Sequence, residues 1–115
     1  YEAVPKLYRS VDAGLMFMFS GHPGVTASEL MASGCPVVVN EYDDVTWRQL
    51  YVNEQTCLTT VATASEVARN IKRCLVEPAT RKKLIDGGLA ISKEFYKDYQ
   101  RSQERAFQYL IGGKK

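Results

Sequence analysis

What this chain has little of narrows it first. Its 115 residues hold only three cysteines, at Cys35, Cys57 and Cys74. They are odd in number, far apart and free of any Cys-x-x-Cys or Cys/His spacing. That excludes a disulfide scaffold and a zinc module, and the three read as buried reduced thiols. No apolar run approaches the roughly 20 residues of a membrane span, and no signal-peptide pattern is present. Excess charge is lacking too: the net charge is +2, and the Lys and Arg residues after Arg69 alternate with Glu and Asp. That is the pattern of solvated helix faces and argues against a nucleic-acid partner. Repeats and low-complexity tracts are absent.

What remains is an ordinary globular composition, 45% hydrophobic and 24% charged, in a chain that suffices for one domain or part of one. Val4, Leu7, Tyr8 and Val11 recur at i, i+3, i+4 and i+7, which predicts a helix over Val4 to Val11. Ala13 to Phe19 carries no polar side chain, as in a strand covered on both faces of a parallel sheet. A second such strand runs from Pro36 to Asn40, with one helix between, so the unit is βαβ and crosses over right-handedly. Glu41 to Asp44 is a polar turn, Val45 to Val52 a short helix around Trp47, and Cys57 to Val61 an edge strand. Thr63-Ala64-Ser65-Glu66 has the form of a capping box. It opens a helix with Val67, Ala68, Ile71, Cys74 and Leu75 as its apolar stripe, stopped near Pro78. Further helices are predicted over Ala79 to Tyr96 and Tyr99 to Ile111, then a frayed tail from Gly112 to Lys115. The fold class is α/β: part of a Rossmann-like three-layer parallel sheet flanked by helices.

The most informative stretch is Ser20 to Val39. A Gly/Pro loop leads into a helix that begins near Val25, carries Glu29 and stops at Gly34. Free amides at such a helix start are a seat for phosphate. Glu29, about one turn in, is placed to take the hydroxyls of an attached ribose. Ligands of parallel sheets sit beyond the carboxyl ends of the strands, where Ser20 to Thr26 and Asn40 to Asp44 converge. Thr26-Ala27-Ser28-Glu29 also has capping-box form, so Glu29 has an alternative as a helix cap. Ser20 has two readings, ligand donor or strand end; Asp12 reads as structural, and Arg81-Lys82-Lys83 as a solvated face.

The order Tyr8, Asp12, the apolar strand to Ser20, and then Glu29-Leu30-Met31-Ala32-Ser33-Gly34-Cys35-Pro36-Val37-Val38 resembles the donor-binding domain of GT-B glycosyltransferases. Within these it is similar to the large retaining, nucleotide-sugar-dependent family (group 1). The likeness extends from about Tyr8 to Phe95. It implies that residues 1–111 are the C-terminal part of a nucleotide-sugar-binding domain from a longer chain, inactive alone. Glu29 would bind the ribose and the Val25 and Thr26 amides the diphosphate, with Gly21, His22 and Gly24 completing the donor site. The family places a further glutamate eight positions ahead of Glu29, where this chain has Gly21; His22-Pro23-Gly24 fills the loop instead. That variation resembles bacterial cell-surface polysaccharide transferases, some of which use dTDP-rhamnose.

The resemblance implies a nucleoside-diphosphate sugar as substrate, with no cofactor and no metal. The acceptor would be a glycan or a lipid-linked sugar, presented with the help of an N-terminal domain. The parent is expected in the cytoplasm, at the inner face of the plasma membrane, with Arg81-Lys82-Lys83 available to an anionic surface. Two alternatives stand beside it. One is a non-catalytic nucleotide-sensing or protein-interaction module that keeps the fold, for which Gly21 is the best support. The other is an unrelated α/β phosphate-binding module.

Overall fold

The computed structural model describes residues 3–17, 26–41 and 50–112, apart from the side chains of Val4 and Pro5. Helix α1 (Ala3–Ser10) leads to β1 (Gly14–Met16), α2 (Thr26–Ala32), β2 (Val37–Asn40) and β3 (Leu58–Thr60). Helices α3 (Ala64–Val76) and α4 (Pro78–Gly112) complete the order. The strands lie in the order β1-β2-β3, all parallel. Gly14 pairs with Val37 and Met16 with Val39, while Val38 pairs with Leu58 and Asn40 with Thr60. The α/β class and the βαβ unit are therefore as expected.

Strand β2 is central, and its alternation divides the core. Val37 and Val39 face one side with Met16, Ala27, Leu30 and Met31, joined at the edges by Tyr8 and Ile91. Val38 faces the other with Leu58, Cys74 and Leu84. Both layers are built from sequence periodicity: Ala27, Leu30 and Met31 lie at i, i+3 and i+4 of α2 and are 0%, 5% and 1% exposed. β1 is covered on one face only, since Leu15 is 48% exposed. Its apolar run thus overstated its burial, because absence of polar residues does not say which neighbours are present.

Helix α2 ends at Gly34, whose φ of +78° is the left-handed conformation that glycine adopts without a Cβ penalty. Gly34 N donates to Met31 O at 3.1 Å and Cys35 N to Leu30 O at 3.0 Å. These are the paired bonds of a Schellman cap, with Cys35 and Leu30 buried together beneath it. At α3, Thr63 is the N-cap and its hydroxyl accepts from Glu66 N at 3.4 Å. The reciprocal half of the box is not made. Thr63 N donates to Val61 O, and the Glu66 carboxylate takes Arg69 at 2.9 Å.

Further expectations are corrected. On α3, Asn70, Ile71 and Cys74 reach the core and Val67 is half-buried, whereas Ala68 and Leu75 are exposed. Asn70 is tolerated there because its side-chain amide donates to Glu66 O at 3.1 Å. The two C-terminal helices are one, Pro78–Gly112, of 35 residues. Pro78 starts it, as suits a residue without an amide hydrogen at a first helical position, and no later proline interrupts it. From Lys93 onward every residue through Gly112 is exposed. Arg81 belongs to no solvated face, since its Nη1 donates to Asp12 O and to Cys74 O at 3.3 Å, tying α4 to α3 and to the turn before β1. The expected helix around Trp47 lies largely outside the described residues, and Leu50 to Val52 are not helical.

Candidate functional site

Glu29 occupies the outer side of α2, the face left over once Ala27, Leu30 and Met31 have turned to the sheet. It is half-buried. Its carboxylate accepts a hydrogen bond from the Tyr8 phenol at 3.2 Å. Tyr8 comes from α1 and packs on the core beneath α2, so the contact joins two elements 21 residues apart in sequence. The carboxylate is thereby engaged from α1. Thr26, the first residue of α2, is exposed.

Glu29 lines a cavity of about 400 Å³ between α2 and α4. Ser28 and Ala32 flank it on α2, Leu50 closes one end, and Ser92, Phe95, Tyr96 and Tyr99 form the α4 wall. The position of α4 is set by close packing, Gly88 lying against Met31 and Gly87 against Gln55. Leu50 is held in turn by the loop after it. The Thr56 hydroxyl donates to Leu50 O at 2.7 Å and accepts from Val52 N at 2.9 Å. Ser92 Oγ is buried without a hydrogen-bond partner among the described residues. The lining is mostly apolar and aromatic with a few polar groups, the general character of small-molecule sites. Concave patches of about 510 and 560 Å³ farther along α4 are walled, among the described residues, by that exposed helix alone.

The loop between β2 and β3 is anchored by charge. Glu54 sits at φ +65°, and its carboxylate forms a two-pronged pair with Arg73 of α3, one arm at 3.0 Å. The Arg73 hydrogen bond holds the Glu54 carboxyl below its ordinary range. Burial raises all three thiols: Cys35 upward, with Arg81 opposing, Cys57 to about 12 and Cys74 to about 11. They are free and buried, as the sequence implied.

Of the sequence-derived donor site, Thr26 starts α2 and Glu29 stands at its middle. Gly21, His22, Gly24 and Val25 lie outside the described residues, as do Ser20 and residues 42–44 of the second loop. Two contributors were not foreseen. The Tyr8 hydroxyl was read only as part of a packing stripe, and Phe95, Tyr96 and Tyr99 were divided between two separate helices. A tyrosine at a core-facing helical position was the available signal, because a phenol there needs a partner.

A family model described as WsaF, C-terminal domain, matches residues 1–72, which include α1, the sheet, α2 and Glu29. The O-antigen biosynthesis protein RfbC of Myxococcus xanthus is 37% identical over 83 residues, covering 72% of this chain and 6% of that protein. The chain therefore spans a small part of the curated relative it matches. These similarities agree with a glycosyltransferase-type family and with polysaccharide biosynthesis, without singling out the retaining GT-B group. The chain belongs to the WsaF C-terminal domain family.

Proposed function

We propose that this chain is the donor-binding part of a glycosyltransferase. It would move a sugar from a nucleoside diphosphate to a glycan or lipid-linked acceptor during cell-surface polysaccharide synthesis. The observation that carries the reading is Glu29. It stands in the motif shared with nucleotide-sugar enzymes, about one turn into α2, at the wall of a cavity, with its carboxylate held by Tyr8. The two oxygens of a carboxylate can accept from two hydroxyls, as the ribose diol of UDP or GDP offers, or from the single 3′ hydroxyl of the deoxyribose in dTDP.

In this reading the Val25 and Thr26 amides take the diphosphate, while Gly21, His22 and Gly24 form the loop over the phosphates and the transferred sugar. Donors and basic groups around the departing diphosphate stabilise the charge that develops as the glycosidic bond breaks. With Gly21 in place of an acidic residue, the sugar pocket lacks one carboxylate acceptor. That agrees with a 6-deoxy sugar such as the rhamnose of dTDP-rhamnose. Acceptor groups would come from another part of the parent protein.

The test is a panel of UDP, GDP and dTDP sugars offered to the complete parent protein, with both binding and sugar transfer read out. Binding of one donor with transfer supports the enzyme. Gly21 gives the rival, a nucleotide-sensing module, its one support; binding without transfer to any acceptor would favour that rival. No binding of any of these sugars would overturn the donor-binding reading and favour the rival in its other form, a protein-interaction module that keeps the fold.

A further inference from the structure

We infer that Tyr8 is a positioning residue for the ligand-binding carboxylate, setting the aim of Glu29 from a different helix. This rests on the ribose reading of Glu29. A glutamate on a helix surface has three side-chain torsions, and a ligand that fixes them must offset the lost freedom. Here one carboxylate oxygen already accepts from the Tyr8 phenol at 3.2 Å. The phenol is itself held, since Tyr8 is half-buried and packs on the cluster of Met16, Leu30 and Val37. The hydroxyl therefore reports the position of the core, and passes it to a group at the edge of the cavity.

A ribose hydroxyl can then bond the remaining lone pairs with the carboxylate already oriented, the usual advantage of a preorganised site. The bond is longer than the 2.5–2.7 Å typical of a hydroxyl on a carboxylate, leaving room to tighten as ligand arrives. Tyr8 touches no substrate in this scheme. It acts through Glu29 alone, so its effect must vanish when the carboxylate is removed.

That dependence is the test. Tyr8→Phe, Glu29→Ala and the double variant are made in the complete parent protein. Each is titrated calorimetrically with UDP, GDP and dTDP, and each melting temperature is recorded. Tyr8→Phe should weaken the binding nucleotide about three- to tenfold, the worth of one hydrogen bond, with the melting temperature falling by no more than the loss of that one bond. In the Glu29→Ala background the same substitution should change nothing. If Glu29→Ala weakens binding but Tyr8→Phe does not, or Tyr8→Phe costs as much in both backgrounds, the positioning role is overturned while the ribose reading stands. A lower melting temperature with unchanged affinity makes Tyr8 merely structural and also overturns the role. If Glu29→Ala leaves affinity intact, or no nucleotide binds, the ribose reading fails and the Tyr8 role falls with it.

Discussion

Gly87 of α4 runs so close to Gln55 that a β-carbon on it would stand 2.0 Å from the Gln55 carbonyl oxygen. The obstacle is backbone on both sides, with no flexible side-chain end to swing away. This contact seats α4 on the loop between β2 and β3, and the neighbouring Gly88 meets Met31 of α2. The aromatic wall opposite Glu29 begins about two turns later, at Phe95. Gly87→Ala should thus destabilise the domain by more than about 2 kcal/mol, beyond the helix-propensity gain of about 1 kcal/mol. Chemical denaturation of the two proteins checks it.

The second layer of the core depends on Leu84, which is 1% exposed and packs with Val38, Leu58 and Cys74. Leu84→Ala should cost about 2–5 kcal/mol through lost burial and the cavity left behind. By contrast Leu110→Ala, at a position 65% exposed, should change stability by less than about 0.5 kcal/mol. The pair of denaturation midpoints separates the packed from the projecting half of α4.

Stability should fall on the alkaline side. Burial raises the Cys57 thiol from 9.0 to about 12 and the Cys74 thiol from 9.0 to about 11. The Tyr51 phenol rises from 10.0 to about 12 for the same first reason. The unfolded chain releases these protons from about pH 9 while the folded chain keeps them, so folding is favoured fully below pH 9 and progressively less up to about 12. Melting temperatures from pH 7 to 11 should show this decline, and Cys57→Ala should make it shallower. The same protonated, buried thiols should resist alkylation at pH 8 until the protein unfolds.

On the acid side the sign reverses. Arg73 holds the Glu54 carboxyl low, so their pairing stabilises the fold above the ordinary glutamate range and is lost as pH falls through the depressed value. Glu54 is 44% exposed in its side chain, which limits the pair to about 1 kcal/mol. Arg73→Met should lower stability by about that amount at pH 7 and make no difference at pH 2.

Much of the fold was legible because short-range rules decided it. The Schellman stop at Gly34 and the Val-rich β2 each follow from a local pattern that tertiary packing did not overrule, whereas of the predicted α1 stripe Tyr8 and Val11 reach the core and Leu7 is exposed. The division of α4 into two helices failed for a physical reason. Its second half has no core to face among the described residues, so burial does not mark it as a continuation, yet no proline breaks the backbone. Arg81 was misread because a cation among lysines looks solvated until α3 and the turn at Asp12 are seen to bring carbonyls to it. For the candidate site, Glu29 was singled out by a motif, and the loop read as a phosphate seat lies outside the described residues. Tyr8 and the α4 aromatics required knowing which helices touch, information that sequence spacing alone does not carry.

The measurement closest to the heart of the account is nucleotide affinity with and without the Glu29 carboxylate. Calorimetric titration of UDP, GDP and dTDP into the complete parent protein should find at least one that binds. Glu29→Ala should weaken it by at least about tenfold, the loss of the hydrogen bonds to its carboxylate, with no more than a small fall in melting temperature from the lost Tyr8 contact. Unchanged affinity, with a melting temperature lowered by the substitution, would make Glu29 a structural residue and contradict the donor-site assignment.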